Sequence, residues 1–398
     1  MSDSLDKMRE NFRRGLLEDV VPFWLRHAVD QEHGGYMFAT DRVGRVIDTD
    51  KSIWFQGRFA WMLATLWLTV DRRAEWLEQA RSGVDFLLRH GFDADGRMFF
   101  QVARDGLPLR KRRYYFSEAF TVMAFAALAR ATDDATLASR ARCLFDRILK
   151  YHAQPELLPA KTTGLRPAKS LAGPMILLNV TQTLRDTVGY PEADAVVDRL
   201  IGEIERDFLK PEYAALLETV GANGAVLDHF DGRLLNPGHA IEAAWFILHE
   251  ARHRNNDGRL VGLGTQILDW MWERGWDREY GGIYYYRDLR DLPVQEYWHD
   301  MKFWWPHNET IIATLLAWTI TREDRHLRRF HEVYSWTMSH FPDREYGEWF
   351  GYLHRDGSVS STLKGNMWKG GFHIPRMQWY CWRLLESEGV QQKPLGKS

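Results

Sequence analysis

The sequence predicts an all-α chain folded as an (α/α)6 barrel, six helical hairpins with short β-hairpin loops at one end. Three observations carry that expectation. Apolar residues recur at helical spacing through twelve segments. A glycine–aromatic loop motif returns at nearly constant intervals between them. No polar capping repeat is evident at either end of the array, which favours closure into a ring over an open stack of hairpins.

The helical pattern covers residues 5–29, 52–71, 74–90, 117–131, 135–151, 174–188, 191–208, 239–254, 258–274, 306–320, 324–340 and 373–385. Residues 61–67, Trp-Met-Leu-Ala-Thr-Leu-Trp, are apolar nearly all round, so that helix is buried on more than one side. The connecting motif reads Gly34-Gly35-Tyr36-Met37-Phe38, then Gly96-Arg97-Met98-Phe99-Phe100, Gly281-Gly282-Ile283-Tyr284-Tyr285 and Gly347-Glu348-Trp349-Phe350-Gly351. Each copy is followed by an Arg-Asp or Asp-Arg turn and reads as a short aromatic strand, a turn and often a second strand. The interval is 61 residues from Gly35 to Gly96 and 65 from Gly282 to Gly347. Two more copies in the gap give six units of about 62 residues. No linker or low-complexity stretch interrupts them. Residues 1–390 are therefore expected to form one catalytic domain, and residues 391–398 a disordered tail.

Composition excludes several functions. Of 398 residues, 45% are hydrophobic and 27% charged, a globular balance, and the net charge of −2 offers no footprint for nucleic acid or an acidic membrane surface. The longest apolar run, 119–129, is too short to span a bilayer, and residues 1–15 lack the apolar core of a signal peptide. The two cysteines, Cys143 and Cys381, lie in helix-like stretches and are expected as reduced core residues of a cytoplasmic protein. The excess is aromatic: 18 Trp, 15 Tyr and 21 Phe fit a large core and also a site that stacks on sugar-like ligands.

Polar groups meet aromatic helices at the starts of the inner helices. His239, His307 and His373 recur at intervals of 68 and 66 residues and are expected to converge at one end of the barrel. Glu242 follows His239 by three residues and Arg376 follows His373 by three, so each pair shares a helical face. A carboxylate beside an imidazole fixes its tautomer and raises its basicity, and an arginine supplies fixed charge for a developing oxyanion. Such a cluster suits acid–base work. Metal-binding spacing is absent, so no metal is expected. The basic run Arg110-Lys111-Arg112-Arg113 reads as a solvated loop or a phosphate contact. Asp48, Asp50, Asp228 and Asp231 read as solvated loop carboxylates.

The blocks Asn236-Pro237-Gly238-His239-Ala240-Ile241-Glu242, Met301-Lys302-Phe303-Trp304-Trp305-Pro306-His307-Asn308-Glu309 and Lys369-Gly370-Gly371-Phe372-His373-Ile374-Pro375-Arg376 resemble the N-acylglucosamine 2-epimerase family. Phe55-Gln56-Gly57-Arg58 and Tyr346-Gly347-Glu348-Trp349-Phe350 fit it too, and the likeness runs from about residue 34 to 385. The family's fold is the barrel that the repeat suggests on its own. The resemblance implies reversible epimerisation at carbon 2 of an open-chain aldose, with His239 and His373 as the two acid–base residues. Arg58, Glu242, His307, Glu309 and Arg376 would then bind and polarise the sugar, with Trp305 and Trp368 packed on its carbon skeleton. No redox cofactor or metal is required on this analogy. ATP enters as a non-hydrolysed activator near residues 161–169, and a homodimer is expected. Relatives acting on cellobiose or mannose tend to carry a further histidine on the third inner helix, and residues 170–179 have none. That points to N-acetylglucosamine and N-acetylmannosamine as the pair. Gly371, where a Cys is expected, and Met367-Trp368, in place of Pro-Phe, depart from the family pattern. Other readings on the same barrel are an epimerase or aldose–ketose isomerase acting on mannose or glucose, a non-catalytic protein-binding role, and a glycoside hydrolase with an acid pair among Asp228, Asp231, Glu242 and Glu309.

Overall fold

The computed structural model describes residues 4–391. The tail expected to be disordered lies outside the described residues from 392 onward. The helices, in chain order, are α1 (Leu5–Arg14), α2 (Val21–Ala28), α3 (Ile53–Thr69), α4 (Ala74–His90), α5 (Phe116–Thr132), α6 (Ala135–Ala153), α7 (Ala172–Thr187), α8 (Ala193–Glu203), α9 (Phe230–Arg233), α10 (Pro237–His253), α11 (Gly258–Gly275), α12 (Trp304–Thr321), α13 (Asp324–His340) and α14 (His373–Gln391).

Composition separates the layers. α3, α5, α10 and α12 are buried through most of their length, whereas α4, α6 and α13 bury only one stripe. The inner ring runs α3, α5, α7, α10, α12, α14, each packed on the next, and α14 returns to α3. Outside lie α4, α6, α8, α11 and α13. α1 packs on α14, so the first helix of the chain is the outer partner of the last inner one. Gly57 permits the α3–α5 approach: a Cβ there would lie 2.7 Å from the Phe120 carbonyl oxygen.

The expected first helix is broken. A π-helical turn, Gly15–Val20, separates α1 from α2. Pro22 has no N–H to continue the regular ladder and its ring crowds the carbonyl four residues back, so the turn widens there. α7 and α12 begin two residues before Pro174 and Pro306, and α10 begins at Pro237. A proline anywhere in the first turn removes only an N–H that has no helical partner, so it marks the turn and not its first residue. Cys143 is exposed, which corrects its expected place in the core; Cys381 is buried.

The loops at the hairpin end hold the ring together. The strand Lys51–Ser52 pairs with Phe99–Val102 of the next unit, and Lys302–Phe303 pairs with Tyr352–Leu353 in the same way. Each of three hairpins also offers a buried aspartate to a lysine of its own unit and an arginine of the next. Asp30 receives Lys51 (2.9 Å) and Arg104 (2.9 Å). Asp277 receives Lys302 (3.0 Å) and Arg355 (2.8 Å). Asp343 receives Lys364 (2.9 Å) and Arg42 (2.8 Å), and this last pair joins the final hairpin to the first. Burial disfavours each charged carboxylate, but the bonds from both cations outweigh it and hold all three well below the usual carboxylate range.

Candidate active site

The inner helices α3, α10, α12 and α14 deliver six polar side chains to one end of the barrel. Asn236 caps α10, its side chain accepting the His239 N–H at 3.1 Å, and this sets the first turn that carries His239. The His239 ring is 29% exposed, and its Nδ1 lies 2.9 Å from Glu218 Oε2. Burial works against the imidazolium, yet the Glu218 carboxylate, with Glu242 and Glu309 beyond it, raises the pKa above the ordinary value.

His373 is the first residue of α14 and is buried. Its Nδ1 lies 2.7 Å from Glu309 Oε1. That contact places the proton on Nδ1 and leaves Nε2 with a free lone pair. Burial, and then the Arg376 and Arg58 guanidinium groups, push its pKa well below the ordinary value. The Trp305 ring neighbours both imidazoles, its centroid 4.9 Å from that of His239 and 5.9 Å from that of His373.

Around them the charges interlock. Arg376 Nη2 donates to Glu242 at 2.6 Å and to Glu309 at 2.7 Å. Trp245 Nε1 donates to the other Glu309 oxygen at 2.7 Å. Glu242, Glu309 and His373 offer ligand atoms within 4.8 Å of one another, as a metal site would. The Arg376 guanidinium sits on both carboxylates, so the cation of this cluster is part of the chain. Arg58, unlike Arg376, makes no ion pair among the described residues. Its guanidinium lies over the rings of Phe120 (4.1 Å), Phe372 (4.9 Å) and Trp54 (5.3 Å), and its buried Nε has no hydrogen-bond partner. Burial lowers its pKa to about 9, which leaves it charged at neutral pH. It is a cation held by ring faces with its donors unspent. Trp368 stands at the mouth, 46% exposed, its ring edge-on to Trp54 at 5.7 Å.

His307 does not join this group, which corrects the expectation that it binds substrate. It is fully buried; its Nδ1 faces the Phe303 carbonyl oxygen at 2.7 Å and its Nε2 accepts the Ile283 N–H at 2.9 Å. Both ring nitrogens are thus used by backbone. Stacked on Trp336, the imidazole is held neutral by burial, its pKa brought down to about 3. The reason is helical phase. His239 is the third residue of α10, His307 the fourth of α12 and His373 the first of α14. On α12 itself Trp305 and Glu309, four residues apart, face the site, and His307 lies two residues from each, so at roughly 100° per residue it points to the opposite side. Asp228 is likewise away from the cluster, tied to Arg233 and Arg290.

Glu218 is the residue that sequence reasoning missed. It lies between the short strands Ala215–Leu216 and Thr219–Gly221, where no helical spacing connects it to His239. An isolated glutamate between two short apolar segments was the only available signal.

The family model for N-acylglucosamine 2-epimerase (GlcNAc 2-epimerase) matches residues 34–374. The chain belongs to that family. It is 37% identical to the N-acylglucosamine 2-epimerase of Bos taurus over 384 residues, covering 93% of this chain and 90% of the bovine protein. It is 36% identical to that of Homo sapiens over 382 residues, with 93% and 88% covered. Among solved structures it resembles cellobiose 2-epimerase from Spirochaeta thermophila, with a TM-score of 0.83, 23% identity, and 96% and 98% of the two chains covered. That likeness shows the shared fold, an (α/α)6 barrel. As a member of this family the chain is an isomerase.

Proposed function

We propose that this family member interconverts N-acetyl-D-glucosamine and N-acetyl-D-mannosamine by moving a proton at carbon 2 of the open-chain sugar. One observation carries the reading: two imidazoles share Trp305 as a neighbour, one held below its ordinary pKa and one raised above it. Paired groups whose surroundings drive their pKa values apart supply a base and an acid at the same pH.

The ring must open first, because carbon 2 is acidic only beside a free carbonyl. His373 Nε2 then takes the carbon-2 proton, and the C–H electron pair moves into a C1–C2 double bond. The charge that develops on oxygen 1 meets Arg58, whose donors are free, with Arg376 beside it. His239, protonated on Nε2 while Glu218 holds Nδ1, returns a proton to the opposite face of carbon 2 and inverts it. The reverse reaction exchanges the two roles. Glu242 and Glu309 orient Arg376, and Glu309 also fixes the His373 tautomer. Trp305 and Trp368 pack on the carbon chain.

The test is proton exchange. In heavy water, N-acetylmannosamine incubated with the protein gains deuterium at carbon 2 and yields N-acetylglucosamine, both read by NMR. Folded protein that does neither would falsify the reading. The resemblance extends the proposal to a cytoplasmic homodimer that needs no metal or redox cofactor and responds to ATP as a non-hydrolysed activator. Among the described residues, no helix is long and apolar enough to cross a membrane.

A further inference from the structure

The basic run at the mouth of the barrel is divided. Lys111 is neutralised by Asp93 (2.8 Å) and Asp95 (2.6 Å), and Arg113 donates to the Ala160 carbonyl oxygen (2.7 Å). Arg110 and Arg112 have neither. Among the described residues their side chains make no ion pair and no hydrogen bond, and the Arg112 Nε is buried without a partner. Both guanidinium groups lie over Phe100, Arg112 at 4.4 Å and Arg110 at 5.7 Å. Arg112 also faces Tyr114 and Trp368, each at 5.9 Å.

The loop that presents Arg112 is held from below. Glu118, fully buried on α5, binds Arg97 Nε at 2.6 Å, and Arg97 Nη2 donates to the carbonyl oxygens of Arg112 (3.4 Å) and Tyr114 (3.2 Å). The Arg112 backbone is thus fixed while its head group remains unspent. It belongs to the same aromatic array as the reaction centre: Trp368 touches Trp54, and Trp54 lies under Arg58. The proposed epimerisation of a neutral sugar gives these two cations nothing to bind.

We infer that Arg112, assisted by Arg110, is the receptor for a phosphate group at the mouth of the barrel, placed to take the far end of a sugar whose carbonyl lies at Arg58. A guanidinium with free donors binds a phosphate through paired N–H bonds, and the ring faces below it keep its plane fixed. The inference rests on the proposed reaction for its direction, since that reaction puts the carbonyl end inward.

The experiment measures binding of N-acetylmannosamine 6-phosphate by calorimetry, and its competition with turnover of N-acetylmannosamine, in the wild type, Arg112→Gln and Arg112→Lys. Inorganic phosphate alone is run in parallel. The expected result is that the sugar phosphate binds and competes in the wild type, and that Arg112→Gln weakens it about tenfold relative to the neutral sugar in the same variant. Arg112→Lys, which keeps the charge and loses the paired geometry, gives a smaller loss. Inhibition by inorganic phosphate with the same dependence on Arg112 supports the receptor and identifies its ligand as the free ion. Equal affinities in wild type and Arg112→Gln, or no binding of either phosphate, overturn the inference. Failure of the wild type to turn over the neutral sugar defeats the proposed reaction instead, and calorimetry still reads the receptor. Thermal unfolding of each variant excludes a folding defect as the cause.

Discussion

The Asp277–Lys302–Arg355 staple and the Glu309–Arg376–Arg58 cluster are built from the same materials. Each sets a buried carboxylate among two cations within the loop end of the barrel. In the staple every charge is answered: Asp277 takes Lys302 on one oxygen and Arg355 on both. In the cluster Arg376 is paired with two carboxylates through Nη2, although its Nε too is buried without a partner, whereas Arg58 has no carboxylate partner among the described residues. Residue type therefore does not separate structure from chemistry here. A buried cation with no carboxylate partner does, because a guanidinium without an acceptor is costly unless a ligand supplies one. The same contrast separates His307, with both nitrogens spent on backbone, from His373, with one nitrogen free.

His373→Ala breaks the comparison most sharply. Loss of the base is expected to lower kcat by about 10³- to 10⁴-fold with unchanged thermal stability, and steady-state kinetics with a melting curve checks it. Asp277→Ala attacks the other side of the comparison. It strands Lys302, whose side chain is fully buried, and is expected to cost about 3–5 kcal/mol of stability, read by urea unfolding. Arg58→Met keeps the fold and removes the unspent donor. A fall of about 10²- to 10³-fold in kcat is expected, with a smaller change in KM. Glu218→Gln sharpens the comparison between the two imidazoles. Activity needs His373 neutral and His239 protonated, so the wild-type rate falls on the acid side below His239's raised pKa only as His373 gains its proton, and on the alkaline side as His239 loses its own. Replacing Glu218 brings the alkaline limb down toward the ordinary imidazole range, so the rate at pH 8 falls by more than the rate at pH 6, read from a pH–rate profile. Stability against pH gives a separate check on the staple side of the comparison. His307 has a folded pKa of about 3 against 6.5 unfolded, so its contribution is whole above 6.5 and is lost as pH falls toward 3. The three stapled aspartates follow at lower pH, losing theirs below the unfolded carboxylate value of 3.8.

Much of this was readable in the chain. The glycine–aromatic loops are legible because the turn itself demands them: Gly34, Gly281 and Gly347 all adopt positive φ. Glu242 and Arg376 are legible because a three-residue interval on a helix is a spatial statement. His307 was misplaced because an interval of sixty-odd residues crosses a loop of variable length, and His307 falls two residues from both Trp305 and Glu309, on the far side of the helix that carries them to the site. Glu218 was missed because loop residues reach the site by a path that no periodicity encodes. Cys143 shows the converse: its helix was read correctly, but an outer helix exposes the face on which it sits.

The Arg42–Asp343 bond and the packing of α1 on α14 give the polypeptide the topology of a clasped bracelet. A stacked array can fray from a terminal module while the middle survives. Here neither α1 nor α14 is a free edge, so denaturation has no natural starting point and should be all-or-none, and nicking a surface loop should leave the clasp holding both fragments in one particle.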